Sequence, residues 1–304
     1  MCTEIIDISD IANRKDHWDG AAAVIPALGA IVAGGALPPW AFMWLLAMAV
    51  WLGCKWVAWR AATRGNAPAR IGAVRFFLGW PGMDPKPFLR PADIRRISAR
   101  NGLLGTLARI LIGICLITAA CIAADGLLNP LLGGWIGMIG TMFALHFGLF
   151  DLLAWIWHVR GVAVEPIMQH PFASDSLTEF WSRWNRGFRD IASLMIFRPL
   201  RRRMGASGAM LATFLFSGLI HDLVISVPAR AGYGLPTLYF ILQGIGILID
   251  RSLPAGHAFF RRTLLYLTAA APIGLLFHPP FVREVYVPFL HAIRDAFTAI
   301  GGAL

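Results

Sequence analysis

A histidine and an aspartate interrupt an otherwise apolar run, FLFSGLIHDLVISV at 214–227. An asparagine closes an aromatic, arginine-rich stretch ahead of it, SLTEFWSRWN at 176–185. If residues 206–228 cross a bilayer, His221 lies about fifteen residues into the span, about 22 Å along the axis at 1.5 Å per residue. Polar side chains at that depth are costly and face the protein interior or a watery cavity, so a functional site is the first hypothesis. A neutral imidazole, with an unperturbed pKa of about 6.5, suits a general base that takes a proton from a hydroxyl. The side-chain amide of Asn185 supplies both a donor and an acceptor, enough to orient one reactant or polarise another. The plainer reading of His221 is a hydrogen-bond partner for a neighbouring helix.

The elements around these residues can be read from spacing. Ser176 followed by Glu179 fits a capping box, which starts a helix at that point. At 100° per residue Leu177, Phe180, Trp181, Trp184, Phe188 and Ile191 share one face, while Arg183, Arg186, Arg189 and Asp190 take the other. The pattern predicts one amphipathic interfacial helix, with rings at the membrane boundary and arginines facing anionic headgroups or a phosphate-bearing ligand. A simple surface anchor has the same pattern. The connector RPLRRRMG at 198–205 serves equally as an orientation signal and as a contact for phosphate.

The whole chain has 304 residues, 57% of them hydrophobic and 14% charged, which excludes an ordinary soluble domain. Apolar runs at 38–59, 102–124, 134–157 and 206–228 reach the roughly 20 residues that cross a bilayer. Shorter runs sit at 21–36, 234–250 and 263–277, and 281–301 carries His291, Arg294 and Asp295. The expected fold is an all-α polytopic transmembrane bundle, residues 1–304 in one domain, with about seven to eight spans. Of 27 Lys and Arg, 22 fall in alternating segments: 2 before residue 21, 9 in 60–101, 8 in 158–205 and 3 in 251–262. The positive-inside rule places those segments and the polar N-terminus, residues 1–20, in the cytoplasm, so the net charge of +10 needs no nucleic acid. Residues 1–20 lack the pattern of a cleavable signal peptide. The Pro-rich stretch at 79–91 reads as an irregular cytoplasmic loop.

Cys2, Cys54, Cys115 and Cys121 form no CxxC pair and suggest neither a zinc site nor a disulfide scaffold. His146 and His158 lie twelve residues apart, about 18 Å along a helix, too far to share one metal ion. With His170 and His278 they read as structural, and no cofactor motif accompanies them. No internal repeat is visible, and charged residues do not distribute along several spans, which argues against the competing class, a transporter or other non-catalytic membrane protein.

An aromatic capped segment ending in Asn, a basic connector and a span with a deep His together resemble the membrane-bound O-acyltransferase (MBOAT) superfamily, in particular its wax synthase-like branch. That branch reads approximately SLxxFWGRRWN, then SGxxHE. Ser176, Leu177, Phe180, Trp181, Arg183, Trp184 and Asn185 match the first motif, and Ser217, Gly218 and His221 the second, 36 residues separating Asn185 from His221. This chain has FWSRWN, one residue shorter, and Asp222 where the family has Glu. The resemblance implies transfer of a fatty acyl group from acyl-CoA to a hydroxyl acceptor, such as a long-chain alcohol, with His221 and Asn185 catalytic. It places Trp181, Trp184, Arg183 and Ser217 beside the substrates, implies no cofactor or metal beyond the acyl-CoA co-substrate, and gives no reason to expect an acyl-enzyme. The Ala, Gly and Arg bias suggests a bacterial inner membrane. Nothing in the sequence sets the oligomeric state or the acceptor.

Overall fold

The computed structural model describes residues 27–32, 34–63, 70–89, 102–123, 129–254 and 256–301. The described residues contain helices and no strands. The N-terminal segment 1–20, Cys2 and the end of the Pro-rich stretch lie outside them. In chain order the main helices are α1 Pro39–Thr63, α2 Arg70–Gly79, α3 Leu103–Ala123, α4 Pro130–Thr141, α5 Phe150–Val159, α6 Leu177–Arg183, α7 Arg186–Ala192, α8 Arg198–His221, α9 Leu235–Ser252, α10 Ala258–Leu265 and α11 Val287–Gly301. Segments of π-helix run on from several of them, at Met142–Leu149, Ser193–Phe197, Asp222–Ser226, Tyr266–Ala270 and Val282–Tyr286.

Among these residues four helical stretches are long and apolar enough to cross a bilayer: Pro39–Thr63, Leu103–Ile122, Pro130–Val159 and Arg186–Ala229. They coincide with the four longest apolar runs. The pair Ala258–Leu276 and Pro279–Ala299, bent by 52°, makes a fifth if it is one broken span. That leaves the expected count of seven to eight unmatched. The run at 21–36 is described only over 27–32 and 34–36, those at 263–277 and 281–301 form the bent pair, and that at 234–250 is α9, which carries Gln243, Asp250 and Arg251.

Exposed apolar side chains such as Leu104, Leu111 and Ile122 project from α3, as lipid-facing residues do. The largest buried cluster lies at the other end of the chain, where Phe281, Val282, Val285, Tyr286 and Leu290 pack against Tyr239 and Phe240 of α9 and Ala120 of α3. α8 and α9 run antiparallel. Gly218 meets Thr237 so closely that a Cβ at 218 would stand 2.6 Å from the Thr237 Cα, and Gly244 faces Leu211 and Phe214 one helical stretch further on. α8 is broken near its start by Gly205, at φ 71° and ψ 177°, a conformation open to glycine because it lacks Cβ. The basic turn at 198–204 is thereby set off from the apolar part of the helix.

Charged residues do enter several spans, contrary to the sequence reading. The Lys55 side chain is fully buried in α1; its ammonium donates to the carbonyls of Trp80 at 2.6 Å and Gly82 at 3.0 Å and lies 3.6 Å above the Phe76 ring. It thus ties the irregular Pro-rich loop to the first span. Arg109 of α3 pairs with Asp151 of α5 at 2.9 Å and donates from Nε to the Phe147 carbonyl in the π-helical segment at 2.7 Å. Each of these three charges is matched by a backbone carbonyl or by an opposite charge, as a low-dielectric interior requires.

Candidate active site between α6, α7, α8 and α9

The expected single interfacial helix is two short helices. α6 starts as the sequence predicts, with the Ser176 hydroxyl accepting from the Glu179 amide at 3.1 Å. The Glu179 carboxylate reaches back to the Asp175 amide at 2.8 Å, one residue before the cap. Asp250 at the end of α9 accepts from the Thr178 amide at 3.1 Å and from its hydroxyl, which docks the start of α6 on α9. The helix then stops. Trp184 is extended and Asn185 takes a left-handed conformation at φ 38°, one that Asn tolerates better than most residues. The Asn185 Oδ1 accepts from the Phe188 amide at 3.2 Å and so caps α7.

The break overturns the helical-wheel face drawn through 177–191. Leu177 and Ile191 are both buried, but in separate clusters, one against Met210, Ile247 and Leu265, the other against Cys54, Ala58 and Met83. Trp181 packs on Phe214 and Phe240 with ring centroids 5.6 and 5.7 Å away, and its Nε1 donates to Gln243 at 3.3 Å. Trp184 stacks on Phe180 at 5.4 Å and meets Phe147 edge-on at 6.0 Å. These rings are tied into the protein.

A cavity of about 350 Å³ opens between the four helices. Five of the six expected site residues line it: Asn185, His221, Trp181, Trp184 and Ser217. Arg183 is absent from the lining. It forms an ion pair with Glu179 at 2.5 Å and donates to the Ala173 carbonyl at 3.3 Å, so the substrate role expected for it has no support in the geometry. α8 contributes Met210, Phe214, Ser217 and His221, which recur every three or four residues and so form one stripe down the helix. Phe240, Ile247 and Arg251 form the facing stripe on α9.

His221 is held on three sides. Its Nδ1 lies 2.7 Å from the Ser217 carbonyl, which can only accept, so the proton sits on Nδ1 and Nε2 is left with its lone pair. Phe240 lies against the ring at 4.4 Å, and Phe188 meets it edge-on at 6.3 Å. Nε2 makes no hydrogen bond with the described residues.

Asp222 serves a different element. One oxygen accepts from the Ser226 hydroxyl and the Gly234 amide, each at 2.8 Å, and the other from the Thr237 amide at 3.0 Å and the Thr237 hydroxyl. The carboxylate therefore caps the start of α9. Ser226 also lies 3.3 Å from the His278 Nε2. The His278 Nδ1 accepts from the Phe281 amide, so Nε2 carries the proton and donates to the serine, whose own proton goes to Asp222. This Asp, Ser and His set has the wrong proton direction for a nucleophilic serine.

The other histidines are apart from the cavity. His158 bonds the Val164 carbonyl, His146 packs edge-on against Phe150, and His170 precedes Pro171 in a left-handed conformation. Among the described residues no three His, Cys, Asp or Glu side chains converge on a point. Cys54 and Cys121 are buried and Cys115 is exposed. Phe240 and Arg251 were missed in the sequence. Nothing local marks Phe240, and Arg251 carries only the weak signal of a basic residue at a helix C-terminus.

Residues 164–242 match the model of the membrane bound O-acyl transferase family. That segment holds α6, α7, α8, the cap at Asp222 and Phe240. The chain is also similar to the long-chain-alcohol O-fatty-acyltransferase of Simmondsia chinensis, 29% identical over 170 residues, which is 48% of each chain. It resembles the probable long-chain-alcohol O-fatty-acyltransferase 2 of Arabidopsis thaliana, 29% identical over 140 residues and 41% of each chain, and the probable enzyme 1 of that plant, 32% over 94 residues and 28% of each. The chain thus matches about half the length, or less, of these curated relatives. The family model shows the likeness to the membrane-bound O-acyltransferase superfamily over the segment that carries Asn185 and His221, and the named relatives show the likeness to its wax synthase-like branch.

Proposed function

We propose that the chain is an O-acyltransferase that moves a fatty acyl group from acyl-CoA to a lipidic hydroxyl, with a long-chain alcohol as acceptor and a wax ester as product. One observation carries the reading: Asn185 and His221, 36 residues apart (221 − 185), line the same cavity, and the Nε2 of His221 is the unoccupied one of its two ring nitrogens. The names of the relatives support the alcohol acceptor.

The residues divide the reaction as follows. The acceptor hydroxyl gives its proton to the His221 Nε2 as its oxygen attacks the thioester carbonyl carbon. The Asn185 Oδ1 is engaged by the Phe188 amide, so its Nδ2 protons are the ones free to donate to the carbonyl oxygen as negative charge builds on it. The tetrahedral intermediate collapses, the carbon–sulfur bond breaks, and the departing thiolate takes the proton back from Nε2. No residue is acylated. Phe240 keeps the imidazole ring in place through the cycle.

The single-domain organisation, seven to eight passes, cytoplasmic N-terminus and bacterial inner-membrane location belong to the same proposal; the distribution of basic residues supports the orientation, and the Ala, Gly and Arg bias the bacterial membrane. α9 supplies an additional pass in that count, its polar residues Gln243 and Asp250 being buried within the protein. A transporter gains no support, because Lys55, Arg109 and Asp151 all hold backbone or one another. The test is an assay of purified protein with labelled acyl-CoA and a panel of long-chain alcohols, sterols, diacylglycerol and sugars. Saturable ester formation with a lipidic alcohol is expected; no transfer to any acceptor removes the reading.

A further inference from the structure

The cavity lining carries basic residues that lie outside the two motifs. Of its lining residues two are arginines, Arg189 and Arg251. Arg189 is engaged, donating to the Ser182 carbonyl at 2.6 Å and to Asp190 at 2.7 Å. Arg251 is exposed in the last turn of α9, and its guanidinium makes no hydrogen bond or ion pair with the described residues. The neighbouring acid, Asp250, is turned to the start of α6. The other arginines of this region are poorer candidates: Arg183 and Arg186 are paired with Glu179 and Glu165, and Arg198, Arg201, Arg202 and Arg203 do not line the cavity.

The spacing along α9 sets the length of the ligand. Phe240, whose ring lies on His221, is eleven residues from Arg251 (251 − 240), roughly 16 Å of helix at 1.5 Å per residue. A pantetheine arm joins a thioester sulfur to a pyrophosphate through about 13 bonds, roughly 15 Å at the ~1.2 Å per bond of an extended chain. The lining also includes the apolar side chains of Met210, Phe214 and Ile247, and Arg251 is exposed at the far end of α9 from Phe240.

We propose that Arg251 binds the phosphate end of the acyl donor, a nucleotide-bearing pantetheine thioester whose carbonyl lies between Asn185 and His221. The proposal rests on the acyl-transfer reading and names the residue that selects the donor. It accounts for an arginine with no partner among the described residues by the chemistry of phosphate, which a planar guanidinium binds through paired hydrogen bonds.

The test compares two donors that share a thioester, acyl-CoA and the same acyl group on pantetheine, which has no phosphate. Purified Arg251→Gln is expected to raise the KM for acyl-CoA about tenfold, with kcat little changed and the KM for acyl-pantetheine unaltered, the size of one lost charge-assisted contact. Arg251→Lys should recover part of the loss. Arg70→Gln, which removes the same charge from an exposed site outside the cavity, should leave both KM values unchanged. An equal effect of Arg251→Gln on the two donors, or none on acyl-CoA, overturns the proposal. Binding of acyl-CoA to the solubilised protein by calorimetry separates this from the functional reading. Wild-type binding weakened about tenfold in Arg251→Gln sustains the site even if no acceptor is acylated, and absence of wild-type binding overturns it.

Discussion

The imidazole of His221 is fixed by one hydrogen bond, and that bond decides which nitrogen is available for chemistry. Because Nδ1 donates to the Ser217 carbonyl, a substitution that keeps the bond but lacks a basic nitrogen separates positioning from proton transfer. His221→Gln does this, since an amide can donate to the same carbonyl yet takes no proton near neutral pH. It should lower kcat by about 10² to 10⁴, the usual contribution of a positioned base, while the thermal midpoint of the purified protein stays close to wild type. Retention of most of the wild-type rate would remove the base assignment. Asn185 has two jobs on one side chain, capping α7 through Oδ1 and offering Nδ2 to the cavity. Asn185→Asp keeps the cap acceptor and removes the donor, so turnover should fall at least tenfold with folding preserved. Activity within a factor of two of wild type would leave Asn185 as a cap alone. The histidine was legible in the sequence because a polar residue stands out in an apolar run; the division of labour within Asn185 was not, because it depends on a backbone conformation.

At the scale of elements, the start of α9 is organised from α8. Asp222 satisfies the amides of Gly234 and Thr237 and the Thr237 hydroxyl there, and the Ser226 hydroxyl on its own segment. Asp222→Ala leaves those groups without their acceptor, and the expected loss is about 2–3 kcal/mol, read as a thermal midpoint several degrees lower. Because α9 carries Phe240 and Arg251, donor affinity should fall together with stability, while a variant at His221 spares both. An unchanged midpoint in Asp222→Ala would show that α9 does not depend on this cap. The sequence placed α8 correctly and started α6 at the right residue, because apolar length and the Ser176 cap are local signals. It drew α6 and α7 as one helix because 3.6-residue periodicity continues across Asn185 while the chain does not. The docking of α6 on Asp250, 72 residues from Thr178 in the chain, is a long-range contact with no local signature.

For the whole molecule, the four long apolar runs identified four spans, and basic residues gathered between them set the proposed orientation. Ala173, exposed in the segment between α5 and α6, is a suitable reporter. In intact cells Ala173→Cys should be protected from an impermeant thiol reagent and become reactive when the membrane is opened; labelling from outside would reverse the topology. Short spans and bent helices were the harder part, since amphipathic α9 and the pair bent by 52° give weaker apolar signals than a straight lipid-exposed helix. Every described residue lining the reaction cavity falls between Thr178 and Arg251. During synthesis, at about 5–20 residues per second, the ribosome therefore translates every residue of the catalytic walls before it begins α11. The late π-helical segment Val282–Tyr286 and the start of α11 supply the buttress of Val285, Tyr286 and Leu290 behind them, so biogenesis separates in time the part of the chain that does chemistry from the part that holds it rigid.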